Sequence, residues 1–174
     1  FTPIHVTKIY EPIFNLPAEI GIAIPLSAEV CTTAIFAWLG GSLKTKLGLK
    51  KLLFSGATIS LLGFLICGIL PNVIVFTIGK AVIGIGMGFV HVALLAFISE
   101  ADNEKILSDG YAYYFASYFA AINIGCVIGG SLANFIGQRQ VYFVAAATIL
   151  GGIALGLYLL KNVALNISPK VSKT

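Results

Sequence analysis

Four polar residues interrupt stretches that otherwise offer little chemistry: Glu29, Lys80, His91 and Asn123. A carboxyl group takes up and releases protons, an ammonium binds an anion or pairs with that carboxylate, and a carboxamide hydrogen-bonds a solute. An imidazole can join such a site or satisfy itself against a helix carbonyl or water. The sequence shows no plausible nucleophile with a base and no cluster of metal-ligating residues, so the chain is not read as an enzyme. Cys31, Cys67 and Cys126 fall in three different apolar stretches without a CxxC spacing, so neither a disulfide framework, a metal nor another cofactor is expected.

The elements that carry these residues are set by composition. Of 174 residues, 58% are hydrophobic and 10% charged, with a mean hydropathy of +0.97. Soluble domains carry about a quarter charged residues. The chain reads as an all-α, multi-pass integral membrane protein whose unit is the apolar span of roughly 20 residues. Five spans are expected, at 17–39, 52–70, 73–99, 110–136 and 141–160, flanked by an outer loop at 1–16 and a polar tail or linker at 161–174. The apolar runs are too long, and lack the alternation, for barrel strands. The connections are short, so successive spans run antiparallel. The lipid bilayer is the first expected partner, and no nucleic acid is expected.

Lysine placement orients the bundle. Lys44, Lys46, Lys50, Lys51, Lys105, Lys161, Lys170 and Lys173 collect at one face, whereas Lys8 and Arg139 lie at the other. Positive loops are retained in the cytoplasm, so the first face is the inner one, in a plasma or bacterial inner membrane. The stretch GGSLKTKLGLKK at 40–51 then reads as a cytoplasmic hairpin held at the anionic leaflet. Five spans put Phe1 outside and Thr174 inside. With no positively charged leader ahead of Phe1, at least one preceding span is expected and the chain reads as a fragment of a larger membrane protein.

Polar residues are distributed unevenly among the spans. The second and fifth hold no acidic or basic side chain, Asn or Gln, and read as lipid-facing supports. The first, third and fourth, with Glu29, with Lys80 and His91, and with Asn123 and Asn134, read as walls of a wet cavity. Eleven residues separate Lys80 from His91, nearly a whole number of turns, so with Gly84 and Met87 they form one stripe. Asn123 and Asn134 share a face in the same way. Glu29 falls roughly 18 Å and Lys80 roughly 10 Å from the outer end at about 1.5 Å per residue. Lys80 can snorkel outward from that depth. The functional reading makes Glu29 and Lys80 a site, and the alternative makes them structural polar contacts between helices.

The glycines of GIGMG at 84–88 and GCVIGG at 125–130, including the pair Gly125 and Gly129, read as ridges that let helices approach closely. They neither follow a strand nor open a helix at a phosphate site, which sets aside a dinucleotide reading. Tyr111, Tyr114 and Tyr118 line one side of the fourth span and read as an interfacial anchor, with ligand stacking as the alternative.

GSLKTKLGLKK after the first span resembles the signature hairpin of the major facilitator superfamily, G-x-x-x-D-R-x-G-R-R/K. Gly41 and Gly48 stand at its glycines and Lys46, Lys50 and Lys51 at basic positions. Two spans later GKAVIGIGMG is similar to the superfamily pattern R-x-x-x-G-x-G, with Lys80 in the arginine's place and Gly84 and Gly86 matching. YFAAINIGCVIGGSLANFIG is similar to its fifth helix, without the proline that antiporters carry after the position of Gly129. Thr45 stands where the hairpin's Asp belongs. Degenerate hairpins are typical of the second half of these proteins, so the resemblance implies helices eight to twelve, with two to six as the alternative.

The resemblance implies five helices of a six-helix half bundle that rocks against the other half around a midplane site. The expected function is alternating-access transport of a small solute, possible proton coupling falling to Glu29, with Lys80 as the charge for an anionic substrate or the partner of Glu29, and Asn123 as a hydrogen-bonding contact. A sensor module joined to a cytoplasmic signalling domain is the alternative.

Overall fold

The computed structural model describes residues 18–69, 72–101 and 103–166. Among them lie five helices: α1 (Ala18–Leu47), α2 (Leu49–Ile69), α3 (Val73–Ser99), α4 (Glu104–Ile136) and α5 (Gln138–Asn166). All five are long and apolar enough to cross a membrane. The protein is a multi-pass integral membrane protein in contact with lipid. The outer loop expected at 1–16 and most of the polar tail lie outside the described residues.

The helices overrun the apolar spans, chiefly at the lysine-rich end. α1 continues through the glycine-and-lysine stretch to Leu47, so the expected hairpin shrinks to Gly48 alone. Gly48 has φ +80°, and its N–H donates to Lys44 O at 3.0 Å while its own carbonyl accepts from Leu52 N. Only a residue without Cβ takes that left-handed turn cheaply. Lys44 and Lys46 in the last turn face the negative end of the helix dipole.

Asparagines start the next two helices. Asn72 Oδ1 accepts from Ile74 N at 2.8 Å at the head of α3. Asn103 Oδ1 accepts from Lys105 N at 2.8 Å at the head of α4, with Glu104 in the first turn. This cap starts α4 six residues before the expected span, because charged residues of the interface remain helical once their first N–H groups are satisfied. Gly137, φ +92°, reverses the chain into α5.

α3 is the hub, packed along its length by α1 on one side and α2 on another. Thr32 meets Ala81 and Gly84, Phe36 meets Gly88 and Phe89, and Gly40 meets Val92, so α1 and α3 run parallel. α2 and α3 run antiparallel through a seam of small residues. A Cβ on Gly56 would lie 2.7 Å from Gly86 O, and one on Gly63 2.8 Å from Gly79 O. Between and beyond these crossings, the Ser60 hydroxyl donates to Ile83 O and the Cys67 thiol to Phe76 O. Positions 56, 60, 63 and 67 repeat at four, three and four residues, the spacing of an interhelical seam. α5 packs antiparallel on α2, Phe143 lying against Gly68 and Phe54 against Gly156. Cys67, Val73, Phe76, Ile83 and Tyr142 form the buried apolar cluster, with Phe64 and Met87 packed against it.

One expectation about packing changes. α2, read as a lipid-facing support, buries Leu52, Gly56, Ser60, Gly63, Cys67 and Gly68. α4, read as a wall, has no buried residue, and a Cβ on Gly125 or Gly129 would meet nothing within 4 Å in this chain. Helix association in lipid follows close packing of small side chains, not polar content, so the absence of charge on α2 did not mark it as peripheral.

A candidate ion-pair site between α1, α3 and α5

α1 contains Pro25, buried one turn before Glu29. Gly84 lies one turn beyond Lys80 on α3, and a Cβ there would strike Glu29 O and Thr32 Oγ1. This crossing presses the two backbones together, and the Lys80 ammonium donates to Glu29 Oε2 at 2.8 Å. The Lys80 side chain is 8% exposed and that of Glu29 24%. Lys80 therefore turns inward to Glu29, not outward toward the interface, because a partner at contact distance replaces the solvation that snorkelling would supply.

Two residues outside the sequence reading complete the surroundings. The Thr32 hydroxyl lies 3.0 Å from Ala81 O and 2.8 Å from Ala28 O, within reach of both helices. Its place three residues after Glu29 puts it on the same face, and that spacing was the available signal. Tyr142 of α5 is 4% exposed and presents its ring to Lys80 Nζ at 5.9 Å from the centroid. Nothing in the local sequence distinguishes this tyrosine from an interfacial anchor.

His91 lies on the same stripe as Lys80 but takes partners on another helix. Its Nδ1 is 2.7 Å from Tyr114 Oη, and its ring meets Tyr118 edge-on at 5.1 Å. Tyr114 and Tyr118 stack at 6.3 Å between centroids. These two tyrosines, expected at the interface, instead help join α4 to α3. Asn123 stands apart, exposed, its Nδ2 donating to Phe119 O in its own helix. Thus Glu29 and Lys80 come together, and His91 and Asn123 do not join them. Gly41 and Lys46 near the end of α1 and Gly48 at the α1–α2 turn are exposed, and the Thr45 hydroxyl donates to Ser42 O. Gly84 and Gly86 sit in the two seams of α3. Among the described residues no group of three His, Cys, Asp or Glu side chains could hold a metal ion.

Residues 9–173 match the Major Facilitator Superfamily. The chain belongs to that superfamily. Among facilitator relatives, the inner membrane transport protein YajR of Escherichia coli K12 is 26% identical over 145 residues, covering 83% of this chain and 31% of YajR. Multidrug resistance protein 2 of Bacillus subtilis is 28% identical over 117 residues, 67% of this chain and 29% of that protein. Multidrug resistance protein Stp of Mycobacterium tuberculosis is 27% identical over 112 residues, 64% of this chain and 21% of that protein. This facilitator chain spans between about a fifth and a third of the length of these relatives. No solved structure matches it significantly.

Proposed function

We propose that the protein carrying this chain is a secondary transporter that moves a small solute by alternating access across a plasma or bacterial inner membrane, coupled to protons through Glu29. The observation that carries this reading is the Glu29–Lys80 ion pair between two membrane-spanning helices, its lysine buried and its carboxylate half-buried. An intramembrane charge pair is costly to keep and marks a proton or substrate pathway by default. The printed names of the relatives, transport and multidrug resistance proteins, support the class of activity and, for YajR, the inner membrane.

The chemistry of the pair supplies a cycle. With Glu29 ionised, Lys80 holds it and ties α1 to α3. A proton on Glu29 removes the negative partner, and the freed ammonium becomes a binding point for an anionic group of the solute. Return to the paired state requires that both proton and solute leave. The remaining helices of a facilitator, packed on the exposed faces of this bundle, would complete the cavity. The lysine-rich end of the bundle faces the cytoplasm in this reading.

Glu29→Gln fixes the site in a neutral-like state. In proteoliposomes holding the intact protein, gradient-driven uptake of a transported solute should stop while exchange without a gradient continues. Preserved driven uptake in Glu29→Gln would assign Glu29 to helix packing alone.

A further inference from the structure

The Lys80 ammonium is confined from two sides by different helices, and the second side is aromatic. Glu29 of α1 takes it at 2.8 Å, and the Tyr142 ring of α5 lies 5.9 Å from it, within the distance at which an ammonium is attracted to a ring face. The ring is itself held in place. Phe76 meets Tyr142 edge-on at 5.6 Å between centroids, Phe64 lies at 6.4 Å, and Cys67, Val73 and Ile83 complete the buried cluster. Among the described side chains of α5, Tyr142 and Ala146 are the buried ones.

We propose that Tyr142 is a positioning residue for the ion pair: its ring holds the Lys80 ammonium at Glu29 by a cation–π contact and closes off the side of the ammonium that Glu29 leaves open. A largely desolvated ammonium with one carboxylate oxygen as acceptor has two further N–H groups to satisfy. The negative face of a ring offers attraction there without a competing acceptor, so the ammonium stays directed at Glu29. α5 then becomes part of the site, and its docking on α2 and α3 is coupled to how firmly the pair is held. This role rests on the transport reading only for its consequence in the cycle; the contact itself can be tested without any solute.

The test varies the ring's electrostatics at constant shape. In the intact purified protein, Tyr142→Phe and then mono-, di- and trifluorophenylalanine at position 142 are compared by the rate at which an acetylating reagent modifies Lys80, read by mass spectrometry. Tyr142→Phe should label at the wild-type rate, labelling should rise with each fluorine, and the trifluoro variant should reach about tenfold, the factor expected for losing a desolvated cation–π contact of about 1.4 kcal/mol. A flat fluorine series would overturn the proposal, since packing alone does not respond to ring charge. Tyr142→Leu labelling no faster than Tyr142→Phe would overturn it as well. Driven uptake measured on the same variants separates the two readings. A graded rise in labelling in a protein that transports nothing removes the transport reading and leaves the contact standing. A flat series in a protein with normal uptake does the reverse.

Discussion

Lys80 reaches Glu29 because Gly84, one turn further along α3, lets α1 come so close that a Cβ at 84 would collide with the Glu29 carbonyl oxygen. The ion pair at 2.8 Å is thus a product of backbone approach as much as of charge. The glycine that matches a family pattern in sequence has a steric task in space: it sets the distance at which two side chains on parallel helices meet.

Removing one partner should therefore cost more than removing both. Lys80→Met leaves the Glu29 carboxylate without its cation and should destabilise the bundle by about 3 kcal/mol, whereas Glu29→Gln with Lys80→Met recovers most of the loss. Unfolding in detergent micelles across the four proteins of the double-mutant cycle measures the coupling. Simple additivity would show that the pair contributes no interaction energy.

The α2–α3 seam makes a sharper distinction between two small residues that look alike in sequence. Ser60 is 2% exposed against Ile83 and Gly86, while Ala147 on α5 is exposed. Ser60→Leu should lower the melting temperature and folded yield, the overpacking of a tight crossing costing about 2 kcal/mol. Ala147→Leu should leave both near wild type.

At the α3–α4 contact, Tyr114→Phe deletes one hydrogen bond and keeps the ring stack on Tyr118. The expected cost is about 1 kcal/mol, in line with interhelical hydrogen bonds in membranes. Hydrogen exchange should show the loss as faster opening of α4 with little change in α1 and α2.

Gly48 and Gly41 carry opposite expectations although both occupy glycine positions of the same hairpin motif. Gly48 sits at φ +80°, and Gly48→Ala should destabilise by about 1 kcal/mol. Gly41 is inside α1 with nothing within 4 Å of a Cβ, so Gly41→Ala should stabilise by about 0.5–1 kcal/mol. Thermal melts of the two variants decide the matter by sign.

Topology is checked by labelling. In a background lacking Cys31, Cys67 and Cys126, single cysteines at Thr45 and Gln140, both exposed at opposite ends of the bundle, should react with an impermeant reagent from opposite sides of the membrane. Reaction of both from outside would reverse the lysine argument.

The sequence alone pointed to five apolar spans, and the described residues hold five helices long and apolar enough to cross a membrane. Hydropathy over roughly 20 residues is a local property, and short connections leave few ways to run the chain. It also singled out Glu29 and Lys80, because ionisable side chains within spans are rare enough to stand out, and the hairpin and the GKAVIGIGMG stretch pointed to the superfamily. Tertiary structure decided what those residues do to one another. Lys80 turned to Glu29 instead of the interface, His91 went to Tyr114, and Tyr142 came to Lys80 from a helix that had looked like scaffolding. It also placed α2 in the core of the described bundle. The reason is that lipid is as apolar as leucine, so no hydrophobic pattern tells a membrane helix which side to bury. The choice falls to steric fit among glycines, serines and cysteines, and the repeat at 56, 60, 63 and 67 carries that information only once its partner face on α3 is known.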